Sequence, residues 1–146
     1  MNRRNFVFQS CIACITGVSI SSVLSSCSHT ILNLPIDTDR ISLPLFYFDK
    51  KANKGNQPNQ YIVVHNEKLK FPICVFRLDE SQFTAIWMEC SHQGTQLQVY
   101  GDVLQCPAHG SEFSNKGSVL STPATKNLKT FRTESINNHL VIFLTK

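Results

Sequence analysis

Two short turns constrain this chain more than any other feature. Cys90-Ser91-His92-Gln93-Gly94 and Cys106-Pro107-Ala108-His109-Gly110-Ser111 each offer one cysteine and one histidine, and 13 residues separate His92 from Cys106. Each turn follows a run of β-branched and aromatic residues, so each reads as a loop at the end of a strand. The fold has to bring those two loops face to face.

The rest of the chain reads as strands. Runs over 41–48, 61–64, 73–78, 83–88, 96–100, 103–105, 130–136 and 140–145 are rich in strand formers, with Gly101-Asp102 and Asn137-Asn138 as turns between them. No long segment has helical periodicity. The pattern predicts an all-β fold, an antiparallel sandwich or small barrel carrying the two Cys/His turns as loops. With 146 residues and 42% hydrophobic content the chain has material for one ordinary core. The net charge of +4 comes from lysines scattered along the chain rather than in blocks, so no nucleic-acid footprint is present.

Two Cys/His pairs on facing loops suit a cluster of two irons and two sulfides, with both thiolates on one iron and both imidazoles on the other. A structural zinc ion is the main alternative, but zinc sites favour C-x-x-C or H-x-x-x-H pairs over alternating Cys-x-His and Cys-x-x-His. A Cys-His nucleophile and base would leave the second pair unexplained. His29, His65 and His139 lie outside the two turns and read as surface or structural, and Cys74 in an apolar run reads as a small core residue.

From about Tyr61 to the C-terminus, Cys-x-His-x-Gly followed by Cys-Pro-x-His-Gly-Ser-x-Phe resembles the Rieske 2Fe-2S family, as do Gly117 and Pro123-Ala124 downstream. The resemblance implies four ligands, Cys90, His92, Cys106 and His109. It further implies Ser111 as a hydrogen-bond donor to a bridging sulfide and Pro123 as a shield over the cluster. Respiratory Rieske proteins carry an additional cysteine in each loop, joined as a disulfide; Thr95 and Ala108 stand at those places here. The chain is thus more similar to disulfide-free Rieske ferredoxins and oxygenase Rieske domains. No following domain that could hold a mononuclear iron is expected, so the resemblance implies an electron-transfer component rather than a stand-alone oxygenase.

The N-terminus adds a destination. Arg3-Arg4 ahead of a broken apolar stretch through Leu24 has the layout of an export signal, too short and polar for a spanning helix. The arginine pair resembles a twin-arginine signal, and Leu24-Ser25-Ser26-Cys27 resembles a bacterial lipobox, which implies acylation of Cys27. We therefore expect a signal peptide over 1–26, a lipidated N-terminus and polar tether over 27–40, and the cluster domain over 41–146. A second irregular segment, 49–60, reads as a surface loop. The expected protein is an exported, membrane-anchored electron carrier on the periplasmic side, working with an oxidoreductase or cytochrome as redox partner and not with nucleic acid. The competing expectation is a structural or zinc-binding lipoprotein on the same fold.

Overall fold

The computed structural model describes residues 30–49 and 58–145, which form strands β1 (Thr30–Asn33), β2 (Ile36–Asp37), β3 (Arg40–Pro44), β4 (Tyr61–His65), β5 (Ile73–Arg77), β6 (Phe83–Trp87), β7 (Gln98–Tyr100), β8 (Val103–Gln105), β9 (Glu112–Ser114), β10 (Val119–Ser121), β11 (Thr130–Ile136) and β12 (His139–Phe143). The fold is all-β, as the turn-punctuated sequence predicts. One sheet has eight strands in the order β1-β4-β5-β6-β11-β12-β3-β2, and a second has four in the order β10-β9-β8-β7. Every pairing is antiparallel except β1 with β4.

Side chains of β5 alternate between two cores, because successive residues of a strand point to opposite faces. Ile73 and Val75 join Ile41, Leu43, Phe48, Ile62, Val64, Leu140 and Ile142 on one face of the large sheet. Cys74 and Phe76 join Ile86, Met88, Leu97, Leu104 and Phe113 between the two sheets. Cys90 and Cys106 belong to that second cluster, 1% and 2% exposed, so the small sheet is held on the large one by the apolar ground beneath the two loops.

Two expectations are corrected. Residues 30–40, read as a tether, are folded: β1 adds to the edge of β4, and β2 pairs with β3. Alternation of Leu32, Leu34 and Ile36 with exposed neighbours lets the segment cover the core, and Asn66 Nδ2 donates to Leu34 O at 2.7 Å. The domain therefore begins by Thr30 rather than at 41. The run 41–48, read as one strand, breaks at Pro44, after which Leu45–Phe48 form a 3-10 turn closed by Asp49 N–H on Phe46 O. The turn drives Phe48 into the core against Phe83, with ring centroids 5.2 Å apart. The proposed signal peptide, Cys27 and most of the 49–60 loop lie outside the described residues.

Candidate metal centre

The two loops are built to one plan. After β6, Cys90 N–H donates to Thr95 O and Gly94 N–H donates to Cys90 O, both at 2.8 Å. After β8, Cys106 N–H donates to Ser111 O at 2.8 Å and Gly110 N–H to Cys106 O at 2.9 Å. In each, the glycine four residues after the cysteine has a positive φ, +69° at Gly94 and +76° at Gly110, which lets the chain turn back at little steric cost. A hydroxyl residue, Thr95 or Ser111, follows each glycine. The histidine stands two residues after Cys90 but three after Cys106, which is why the spacing in the two motifs differs.

This plan brings the four predicted residues together as two pairs. The rings of His92 and His109 meet edge to face with centroids 5.1 Å apart. The free thiols of Cys90 and Cys106 lie within hydrogen-bonding reach of one another, and each receives backbone N–H groups from its own loop: His92 and Gln93 for Cys90, Ala108 and His109 for Cys106. Burial pushes the Cys90 thiol up, and its hydrogen bond with Cys106 adds to the shift. Burial also acts to raise Cys106, but the N–H groups of Ala108 and His109, with the Cys90 thiol and the Thr95 hydroxyl, overcome it and hold that thiol below its ordinary value. Converging N–H donors of this kind stabilise a thiolate, the form that binds metal.

His92 Nδ1 is buried and has no hydrogen-bond partner. An orphaned buried polar atom costs about 1–3 kcal/mol unless something binds it, so a ligand nitrogen is the simplest use for it. His109 is exposed at the tip of its loop. Among the described residues no three His, Cys, Asp or Glu side chains converge on a point where one ion could sit; the donors come as a thiol pair and an imidazole pair. That donor set fits two irons with two protein ligands each better than one tetrahedral zinc with four.

A third loop closes the site. Ala124 N–H donates to Ser111 Oγ at 3.0 Å, and Ser91 Oγ donates to Lys126 O at 2.5 Å, so residues 122–127 are tied to both Cys/His loops. Ser111 is fully buried, and with one lone pair occupied by Ala124 its own proton remains to be donated. Pro123 is exposed on this third loop beside buried Ala124. Sequence reasoning had placed Thr95 only as a substitute for an absent cysteine; its position after Gly94, equivalent to Ser111 after Gly110, was the available sign that it serves the site. His65 lies on β4 beside a cleft, and His139 Nδ1 sits 3.0 Å from Asn137 O, both apart from the loops.

Comparison with known proteins bears on this arrangement. A family model described as the Rieske [2Fe-2S] domain matches residues 48–132. The crystal structure of the cyanobacterial plasma membrane Rieske protein PetC3 from Synechocystis PCC 6803 is similar at 29% identity and a TM-score of 0.50, covering 57% of this chain and 85% of that one. A complex of reduced oxygenase and oxidized ferredoxin in carbazole 1,9a-dioxygenase is similar at 23% identity and a TM-score of 0.54, covering 75% of this chain and 97% of that one. A naphthalene 1,2-dioxygenase bound to phenanthrene shares the fold at 19% identity and a TM-score of 0.56, over 73% of this chain but 26% of its own. No curated protein sequence matches the chain.

Proposed function

The chain belongs to the Rieske [2Fe-2S] family, and on that premise we propose that it is an exported electron-transfer protein, anchored by lipid at Cys27, whose cluster is held by Cys90, His92, Cys106 and His109. When bound, a cluster of this kind takes up and releases a single electron without other chemistry. The observation that carries the assignment is the convergence of the two loops, with paired thiols on one side and paired imidazoles on the other.

The chain's own residues fit that task. Cys90 and Cys106 sit on an apolar floor of Leu97, Leu104 and Phe113 that excludes water. The N–H groups aimed at the two sulfurs balance negative charge there, the Thr95 hydroxyl adds to them at Cys106, and the Ser111 proton is left to be donated to a cluster sulfide. Donors to cluster sulfur favour the reduced, more negative state and raise the potential. Phe113 supplies no such donor, so we assign a potential within the Rieske span of roughly −150 to +300 mV but away from its top. His109, exposed at the tip, is where a redox partner such as an oxidoreductase or cytochrome would approach. The likeness to a plasma membrane Rieske protein supports a membrane location. The N-terminal motifs supply the anchor, with a signal peptide over 1–26 and acylation at Cys27.

Iron and acid-labile sulfide analysis of the purified protein tests the assignment. Equal iron and sulfide, two of each per chain, is the expected result, with loss of the normal spectrum in His92→Cys and His109→Cys. A preparation holding one zinc and no sulfide would overturn it in favour of a structural zinc site.

A further inference from the structure

The direction of β1 sets which end of the domain the N-terminus leaves from. β1 runs parallel to β4 with Thr30 beside Ile62, and the register continues from Ile62 to Val75 and on to Ala85. Cys90 lies five residues past Ala85 toward the loops, about 16 Å at the rise of a strand. The chain therefore enters β1 from the end of the sheet away from the loops. Only Ser28 and His29 separate Thr30 from Cys27, a span of at most about 11 Å when fully extended.

The exposed apolar side chains gather at that same end. Phe46, 48% exposed, is in the 3-10 turn next to Thr30, where Asn59 Nδ2 donates to both Thr30 Oγ1 and Tyr47 O. Ile136, 47% exposed, ends β11 beside Asn138, whose carbonyl accepts from Leu45 N–H. Tyr100, 59% exposed, tops the β7–β8 hairpin at the end opposite Cys106, and shares a cleft with Ile31, which is 54% exposed. Among the described residues the other large exposed apolar side chains are Ile31, which lies alongside Val63 one step nearer the loops, and Leu120. Asp79, Glu80 and Asp102 also sit at this end, with Arg77, which pairs with Asp49, and exposed Lys116, so the end carries no basic excess and its affinity is for an apolar interface and not for anionic headgroups.

We infer that the end carrying Thr30, Phe46 and Tyr100 seats against the bilayer interface and that the two Cys/His loops face the aqueous compartment. Aromatic side chains settle at the headgroup level, and a short link from an acylated cysteine holds them there. The partner is then a water-soluble or peripheral redox protein reaching the loops from the compartment, and a quinone confined to the bilayer is out of reach. This inference rests on the lipid anchor at Cys27.

The test uses the full-length, cluster-loaded lipoprotein in phosphatidylcholine vesicles whose headgroups carry a gadolinium chelate. Power saturation of the reduced EPR signal reads how closely the cluster approaches the membrane surface. Inserting ten Gly/Ser residues after Ser28 adds a flexible span of about 17 Å, enough to let the domain turn over. Weak relaxation in the wild type that rises severalfold in the insertion variant and in the Phe46→Ser, Tyr100→Ser double variant is the expected result. Strong relaxation in an acylated wild type, equal to that of the insertion variant, would overturn the orientation while leaving the anchor intact. A mature N-terminus without an acyl chain, on a protein that does not float with the vesicles, would instead remove the anchor and the orientation with it.

Discussion

Replacing Ser111 with alanine removes an acceptor that the fold cannot replace. Ser111 Oγ takes the Ala124 N–H at 3.0 Å, and the two residues are 0% and 1% exposed, so water cannot stand in for the lost hydroxyl. A buried donor left without a partner costs about 1–3 kcal/mol. In a domain of about this size 1 kcal/mol moves the thermal midpoint by about 4 °C, so the midpoint of Ser111→Ala should fall by about 4–12 °C. The same substitution frees residues 122–127 from one of their two ties to the Cys/His loops, leaving Ser91 Oγ on Lys126 O. It also deletes a donor near the cluster sulfurs, so the reduction potential should fall with the stability. Scanning calorimetry and voltammetry on the cluster-loaded protein read the two effects separately. A midpoint equal to that of the wild type would show that Ala124 N–H finds another partner and would refute the reasoning.

Other expectations follow from single residues. Burial holds the Cys74 thiol well above the ordinary thiol range, whereas the unfolded thiol ionises near pH 8.5. The unfolded state alone then loses this proton, so stability should decline above pH 8.5 by up to about 1.4 kcal/mol per pH unit from this group, and Cys74→Ala should remove that component of the slope in denaturant titrations run at several pH values. Thr95→Val takes a hydroxyl from the Cys106 sulfur and should lower the reduction potential measured by voltammetry, while Thr95→Ser should keep it close to the wild type. Gly94→Ala forces a side chain to a φ of +69° and sets its Cβ 3.2 Å from Glu89 Oε1. It should destabilise by about 1–3 kcal/mol in chemical denaturation and reduce cluster occupancy, more than Gly110→Ala, where a Cβ meets no heavy atom within 4 Å.

The parts of this structure legible in the sequence are the local ones. Runs such as Val103–Gln105 and Thr130–Ile136 coincide with β8 and β11 because β-branched and aromatic residues there are bounded by clear turns. The Cys/His loops were legible because a cysteine, a histidine and a glycine within six residues define each one. β1 and β2 were hidden because their apolar residues alternate with polar ones in short stretches, and only the edges of β4 and of β3 make strands of them. β9 and β10 were hidden by brevity, three residues each, in a segment dominated by the motif that precedes it. Phe46 gave no sign of its exposure, since Leu-Phe-Tyr-Phe reads as a strand until Pro44 turns the chain. The ties from Ser91 to Lys126 and from Ser111 to Ala124 span 35 and 13 residues, and no local pattern announces a contact at such separations.

The central claim is mixed ligation by two thiolates and two imidazoles. Electron–nuclear double resonance on the dithionite-reduced protein, with histidine labelled by nitrogen-15, tests it most directly. The account predicts coupling to two histidine nitrogens in the wild type, reduced to one in His92→Cys and in His109→Cys where a cluster still assembles. Coupling to no histidine nitrogen in the wild type would contradict it and assign the site to thiolate ligation or to another metal.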